Sequence, residues 1–205
     1  MQLKITNYKN RIVDKIIQNK LLGIGALLIE GPKWCGKTTT AANNANSVLY
    51  LADTKNVNQY LNMVDVDPSI ILTGETPRLI DEWQVAPKLW DAIRFEVDQR
   101  NLEGQFILTG SAVPADYSQV KHTGTGRFAW ITMRPMSLFE SGESNGLVSL
   151  SDIFAGKKIA AKNELNLRQI AFLVCRGGWP KSTFMKDEIA LELAFDYYNA
   201  ILKVE

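Results

Sequence analysis

Apolar positions along the chain fall into two rhythms. Between residues 7 and 22, Ile12, Ile16, Ile17 and Leu21 recur at the spacing of one helical face, with Asn7 placed as an N-cap and Gly23 and Gly25 closing the pattern. Residues 26–30 then read as a short buried strand, and residues 37–45 suit a helix. Further short apolar runs follow at "VLYLAD", "SIIL", "PRLIDE", "QFILTGS" and "FAWITM", several separated by helical or polar stretches such as "APKLWDAIRFEVDQRNLEG" over 86–104. This alternation predicts an α/β fold, a parallel sheet flanked by helices.

From about Ser151 the strand signal ends. "LNLRQIAFLVCRGGWPK" and "KDEIALELAFDYYNAILKVE" read as helices, broken at Gly177, Gly178 and Pro180. The expected division is therefore an α/β domain over 1–150 and a small helical part over 151–205. The last helix keeps its apolar pattern to Glu205 without a stop signal, the expectation being a longer natural chain.

Composition changes this picture little. At 205 residues, 46% hydrophobic and 22% charged, the chain has an ordinary globular make-up. Its 23 basic and 22 acidic side chains nearly cancel, so no global field advertises nucleic acid or an anionic membrane. Cys35, Cys175 and the single histidine, His122, suggest neither a disulfide framework nor a zinc site. With no apolar signal core at the N-terminus and no membrane-length run, a cytoplasmic protein is expected.

The chemistry concentrates in "IEGPKWCGKTTT". Gly31, Gly36, Lys37 and Thr38 match GxxxxGK followed by Ser or Thr, between a predicted strand and a predicted helix. Small residues let the backbone wrap a phosphate, so that successive N–H groups and the positive end of the helix point at the anion. Lys37 would supply charge to the β and γ phosphates, and the Thr38 hydroxyl would ligate Mg²⁺. The whole loop, Gly31, Pro32, Lys33, Trp34, Cys35, Gly36, Lys37, Thr38 and Thr39, is expected to line the nucleotide. Cys35 among these amides is either a reactive thiol or a small filler, and Trp34 either packs on a lid or shields the loop.

"PRLIDEWQ" ends an apolar run in two adjacent acids. Asp81 would hold Mg²⁺, usually through water, and Glu82 would act as general base on the attacking water. "FILTGS" offers Thr109 and Ser111 to the γ phosphate or the water, although either could instead cap the next element. In "HTGTGRFAWITMRP", Gly124 and Gly126 give a pliant loop that could carry Arg127 to a phosphate of the same or a neighbouring subunit; Arg134 is a weaker candidate and His122 reads as exposed.

"LLIEGPKWCGKTT", "RLIDEWQ", "FILTGS" and "GTGR", in this order and at these separations, together resemble the AAA-type ATPases of bacteria and archaea that carry a C-terminal domain of unknown function. The resemblance covers most of residues 7–150. It implies a P-loop NTPase sheet in the order 5-1-4-3-2, ATP and Mg²⁺ as ligands, Walker A at Gly31, Gly36, Lys37 and Thr38, Walker B at Asp81 and Glu82, a sensor position at 109–111, and a glycine-arginine at Arg127. The sensor asparagine of better-known AAA+ motors is replaced by threonine and serine, and the family's nuclease-like C-terminal part is almost entirely absent.

The leading expectation is Mg²⁺-dependent ATP hydrolysis driving or gating a conformational change. A P-loop kinase acting on a small acceptor is the alternative, and a non-hydrolysing nucleotide switch associated with DNA or a protein is another. Self-association and an unidentified protein or nucleic-acid partner fit the leading reading; a membrane does not.

Overall fold

The computed structural model describes residues 8–110 and 122–204. The chain forms two compact units, residues 1–134 and 135–205, so it divides ahead of the boundary expected near Ser151.

Five strands build the sheet of the first unit: β1 (Ala26–Glu30), β2 (Ser47–Tyr50), β3 (Arg78–Asp81), β4 (Phe106–Thr109) and β5 (Phe128–Thr132). They pair in the order β2-β3-β4-β1-β5, all parallel, which is the expected order read from the other edge. Ala26 stands beside both Phe106 and Phe128, and Ile29 beside Thr109 and Ile131, so all five strands end on one edge. Parallel strands need crossovers, and helices cover both faces. That double cover is why β1 and β4 read as unbroken apolar runs: Ala26 to Ile29 and Phe106 to Thr109 are all buried.

A hydrophobic core cluster joins Leu28, Leu49, Ile80, Phe106 and Leu108 of the sheet to Val64 of α3 (Val57–Val66), Ile71 of α4 (Ser69–Leu72), and Trp90, Ile93 and Val97 of α5 (Leu89–Arg100). Ile17 and Leu21 of α1 (Ile12–Leu21) and Ala41 of α2 (Lys37–Asn43) are also buried. Each large apolar side chain removed from water contributes about 1.5–3 kcal/mol.

Two local readings need correction. "SIIL" is the short helix α4 and not a strand: Pro68 has φ −63°, the Asp67 carboxylate accepts from the Ser69 N–H at 2.9 Å, and Thr73 donates to the Ser69 carbonyl at 3.2 Å. A turn-favouring Asp-Pro-Ser thus overrides a run of β-branched residues. The first helix starts later than expected, at Ile12, with Arg11 as its N-cap and the Asp14 carboxylate accepting the Arg11 N–H at 2.6 Å. Asn7 lies outside the described residues.

In the second unit, α6 (Leu138–Ser141), α7 (Leu150–Phe154), α8 (Leu167–Arg176) and α9 (Asp187–Val204) are the α-helices among the described residues. Capping boxes open two of them: Ser137 with Glu140 at α6, and Asn166 with Gln169 at α8. Arg176, nearly fully buried, donates to Glu143 at 2.6 Å, and Trp179 packs on Tyr197 with ring centroids 4.5 Å apart.

Candidate functional site

The carboxyl edge of the sheet gathers most of the chemistry. As β1 ends, Gly31 turns at φ 145°; a Cβ there would stand 2.2 Å from the Met133 carbonyl, so only glycine fits. Trp34 at φ 66° and Gly36 at φ 95° hold left-handed conformations that curl the loop before α2 begins at Lys37. The first N–H groups of any helix have no intrahelical acceptor, so α2 presents donors into this concavity.

Lys37 is buried with its Nζ turned back into the loop, donating to the Gly31 carbonyl at 2.8 Å and the Pro32 carbonyl at 2.9 Å. One residue on, the Thr38 hydroxyl donates to Asp81 Oδ1 at 2.7 Å. The buried Thr109 hydroxyl, at the end of β4, donates to that same oxygen. A hydroxyl from the first turn of α2 and one from the end of β4 thus converge on the carboxylate that ends β3.

Glu82 follows directly. It takes a left-handed backbone, φ 56° and ψ 48°, which swings the chain off β3 into a 3-10 turn at Trp83–Val85. A non-glycine residue held there is a local cost typical of functional positions. Gln84 Nε2 donates to Glu82 Oε2.

Other expected residues are placed differently. Pro32, Lys33 and Trp34 of the loop and Thr39 of α2 are exposed. Cys35 is fully buried, with Sγ 3.8 Å from the Met133 carbonyl; burial pushes its thiol up despite the nearby charges of Lys37 and Arg11, so it is the filler and not the reactive thiol. Ser111 lies outside the described residues.

Arg127 stands just before β5, at the amino edge of the sheet. The five residue steps to Thr132 span about 16 Å of extended chain, so the structure does not bring Arg127 to the loop of its own chain. Its Nε donates to Asp98 on α5 at 2.7 Å, and it lines a cavity of about 290 Å³ with Arg94, His122, Thr123, Gly124 and Thr125. His122 is exposed, as expected, and its carbonyl accepts from Trp90 Nε1 at 2.9 Å. Arg134, at the carboxyl edge, is exposed.

Sequence reasoning missed a buried polar bracket behind the loop. Arg11 donates through Nη1 to the Cys35 carbonyl at 3.0 Å and through Nη2 to the Arg134 carbonyl at 2.9 Å, tying the loop to the end of β5. Asp14 accepts from Tyr8 at 2.8 Å and from Asn44 Nδ2 at 2.8 Å, and Tyr8 reaches Thr40 at 3.2 Å. Burial pushes the Tyr8 phenol well above its ordinary value; the Thr40 contact opposes the rise and the Asp14 carboxylate adds to it, so Tyr8 remains a donor. The available signal was polar: Arg11 and Asp14 sit beside a helical apolar stripe, where charges are usually solvated.

A family model for the AAA domain matches residues 24–141, more than half of the chain. The chain belongs to the AAA domain family. Among solved structures, AMPPCP-bound DnaA from Aquifex aeolicus is similar to this AAA protein with a TM-score of 0.52 at 14% identity, over 87% of this chain and 60% of that one. C. elegans PCH-2 is matched with a TM-score of 0.38 at 13% identity, over 91% of this chain and 61% of that one. The AAA chain thus spans about three-fifths of the length of either. No curated protein matches it. The DnaA likeness and the family match agree with the five-stranded order in giving an AAA-type P-loop ATPase fold. No helix among the described residues is long and apolar enough to cross a membrane.

Proposed function

We propose that the chain binds ATP with Mg²⁺ at the carboxyl edge of its sheet and hydrolyses it, using the cycle to change conformation. The observation that carries this reading is the convergence of the Thr38 and Thr109 hydroxyls on Asp81 Oδ1, beside a loop whose lysine is turned inward. A hydroxyl and a carboxylate are the hard oxygen donors that Mg²⁺ prefers, with the remaining positions left to phosphate and water.

In this reading Gly31 and Gly36 shape the loop and the backbone N–H groups of residues 32–39 bind phosphate oxygens. Lys37 exchanges its two carbonyl acceptors for β and γ phosphate oxygens. Thr38 and Asp81 hold the metal, whose charge offsets that developing on the phosphates. Glu82 takes a proton from the attacking water. Thr109, already bonded to Asp81, reports the γ phosphate to β4, and Ser111 is assigned to the same phosphate or to the water. Arg127, remote from its own loop, is assigned to the γ phosphate of a neighbouring copy, which makes the working form a homo-oligomer. A cytoplasmic location and an unidentified protein or nucleic-acid partner complete the proposal.

Phosphate release from Mg²⁺-ATP, measured without acceptor, tests it. The unaltered chain releases phosphate; Lys37→Ala loses nucleotide affinity; Glu82→Gln keeps affinity and loses turnover. Transfer to an acceptor in place of release would identify a kinase. Tight binding without turnover in the unaltered chain would identify a switch, and equal loss of binding in both variants would refute the division of roles.

A further inference from the structure

Gln84 has no role in the scheme above, yet its side chain lies in the middle of it. The 3-10 turn returns residue 84 beside residue 82, where Gln84 Nε2 donates to Glu82 Oε2. A carboxylate only accepts, so the amide must offer it the nitrogen, and this fixes the other amide atom as the carbonyl oxygen. That atom, Gln84 Oε1, is buried and has no hydrogen-bond partner among the described residues. It lies over the end of β4: a Cβ added to Gly110 would stand 2.7 Å from it. Gly110 follows Thr109, which is bonded to Asp81. An acceptor without a donor costs about 1–3 kcal/mol when buried, and a water molecule is the smallest group that removes the cost.

We infer that Gln84 Oε1 and the Glu82 carboxylate together hold the attacking water, each accepting one of its two hydrogens. The inference rests on the hydrolytic reading above. With both O–H bonds engaged, a lone pair of the water oxygen is left facing the γ phosphorus, and rotation that would spoil the in-line approach is removed. The oxygen then bonds to phosphorus as the bridging bond to the β phosphate breaks, its electron pair leaving on ADP. One water proton passes to Glu82 and the other stays on the new phosphate oxygen. Gln84 neither gains nor loses a proton: it is a positioning residue whose amide orients Glu82 with one end and the water with the other. Glutamine serves this purpose in other nucleotide hydrolases because it accepts without competing for the proton.

Gln84→Met keeps the volume and removes both contacts. Steady-state phosphate release and Mg²⁺-ATP titration on the full chain give the test. Turnover falls about tenfold to a hundredfold, the loss of an oriented contact in the transition state, while ATP affinity stays within about twofold. Gln84→Asn, which retains the amide on a shorter stem, behaves the same way if the longer variant folds poorly. In a Glu82→Gln background, Gln84→Met lowers the residual rate by less than about twofold, because the two groups act on one water. Unchanged or faster turnover with intact affinity would overturn the inference, as would full additivity in the double variant. Absence of phosphate release from the unaltered chain would overturn the hydrolytic reading itself, and this inference with it; an active parent with indifferent variants would overturn the inference alone.

Discussion

Replacing Arg11 by methionine keeps a buried stem of similar length and removes a guanidinium that holds two backbone carbonyls, those of Cys35 and Arg134. The two losses are unequal. Arg134 is exposed and its carbonyl can turn to water, whereas Cys35 is fully buried and its carbonyl is left without this donor. A hydrogen bond from a charged donor contributes about 1.5–3 kcal/mol, so the variant loses about 2–3 kcal/mol. With a urea dependence of about 2 kcal/mol per molar, the unfolding midpoint falls by about 1–1.5 M. Four of the five tryptophans, Trp34, Trp83, Trp90 and Trp130, lie in the first unit, so fluorescence reads this transition directly. The Cys35 carbonyl belongs to the peptide that leads into Gly36, and loosening it costs the loop part of its pre-formed shape. Nucleotide affinity therefore drops about tenfold, the equivalent of 1.4 kcal/mol. Arg11→Lys, able to reach one carbonyl as a point charge, falls between. A midpoint shift below about 0.25 M, which corresponds to about 0.5 kcal/mol, together with unchanged affinity would refute the argument that this bracket shapes the loop.

Other expectations follow from the same contacts. A thiol reagent at mild alkaline pH modifies exposed Cys175 at once and buried Cys35 only on unfolding; two fast thiols would contradict the packing of Cys35. In the second unit, burial pushes the Glu143 carboxyl up, but hydrogen bonds from Arg176 and Ser141 and the guanidinium charge outweigh it and hold the group below its ordinary value of 4.5. A depressed folded-state value means that this contribution is complete above about pH 4.5 and is lost as pH falls through the lower folded value. Trp179 fluorescence during acid titration reads the loss, and Glu143→Gln removes that pH dependence while lowering stability at neutral pH by about 2–3 kcal/mol, because Arg176 is left buried without its carboxylate. Arg127→Ala leaves ATP affinity of the dilute chain unchanged, given the remote position of this arginine; a tenfold loss under those conditions would place it in its own site after all.

The parallel sheet and the phosphate loop were legible because each rests on local rules that tertiary structure does not override. Doubly covered strands read as apolar runs, and the loop between β1 and α2 needs glycine at fixed offsets, Gly31 where only a hydrogen fits and Gly36 where the backbone turns left-handed. The meeting of Asp81 and Thr109 was legible for a related reason: each is a hydrophilic residue that ends a buried strand, and β3 and β4 are neighbours in register. "SIIL" was not legible as a helix, since β-branched composition and the Asp-Pro-Ser turn point opposite ways and the turn wins. The bracket of Tyr8, Arg11, Asp14 and Asn44 joins residues as far as 123 positions apart, Arg11 to Arg134, through side-chain bonds, and no periodicity records such a meeting. For Arg127 the sequence left the same and a neighbouring subunit equally open. Its glycine-rich approach suggested reach, but the strand that follows it fixes it at the opposite edge of the sheet, held by Asp98.

The central claim is that the loop at 31–39 and the carboxylate of Asp81 surround a nucleotide polyphosphate and its magnesium. A crystal structure with Mg²⁺ and a non-hydrolysable ATP analogue tests it most directly. The predicted result is Lys37 Nζ released from the Gly31 and Pro32 carbonyls onto β and γ phosphate oxygens, with the metal about 2.1 Å from the Thr38 hydroxyl and Asp81 in its water shell. Nucleotide bound elsewhere, with Lys37 still on its carbonyls and no metal between Thr38 and Asp81, would contradict the account.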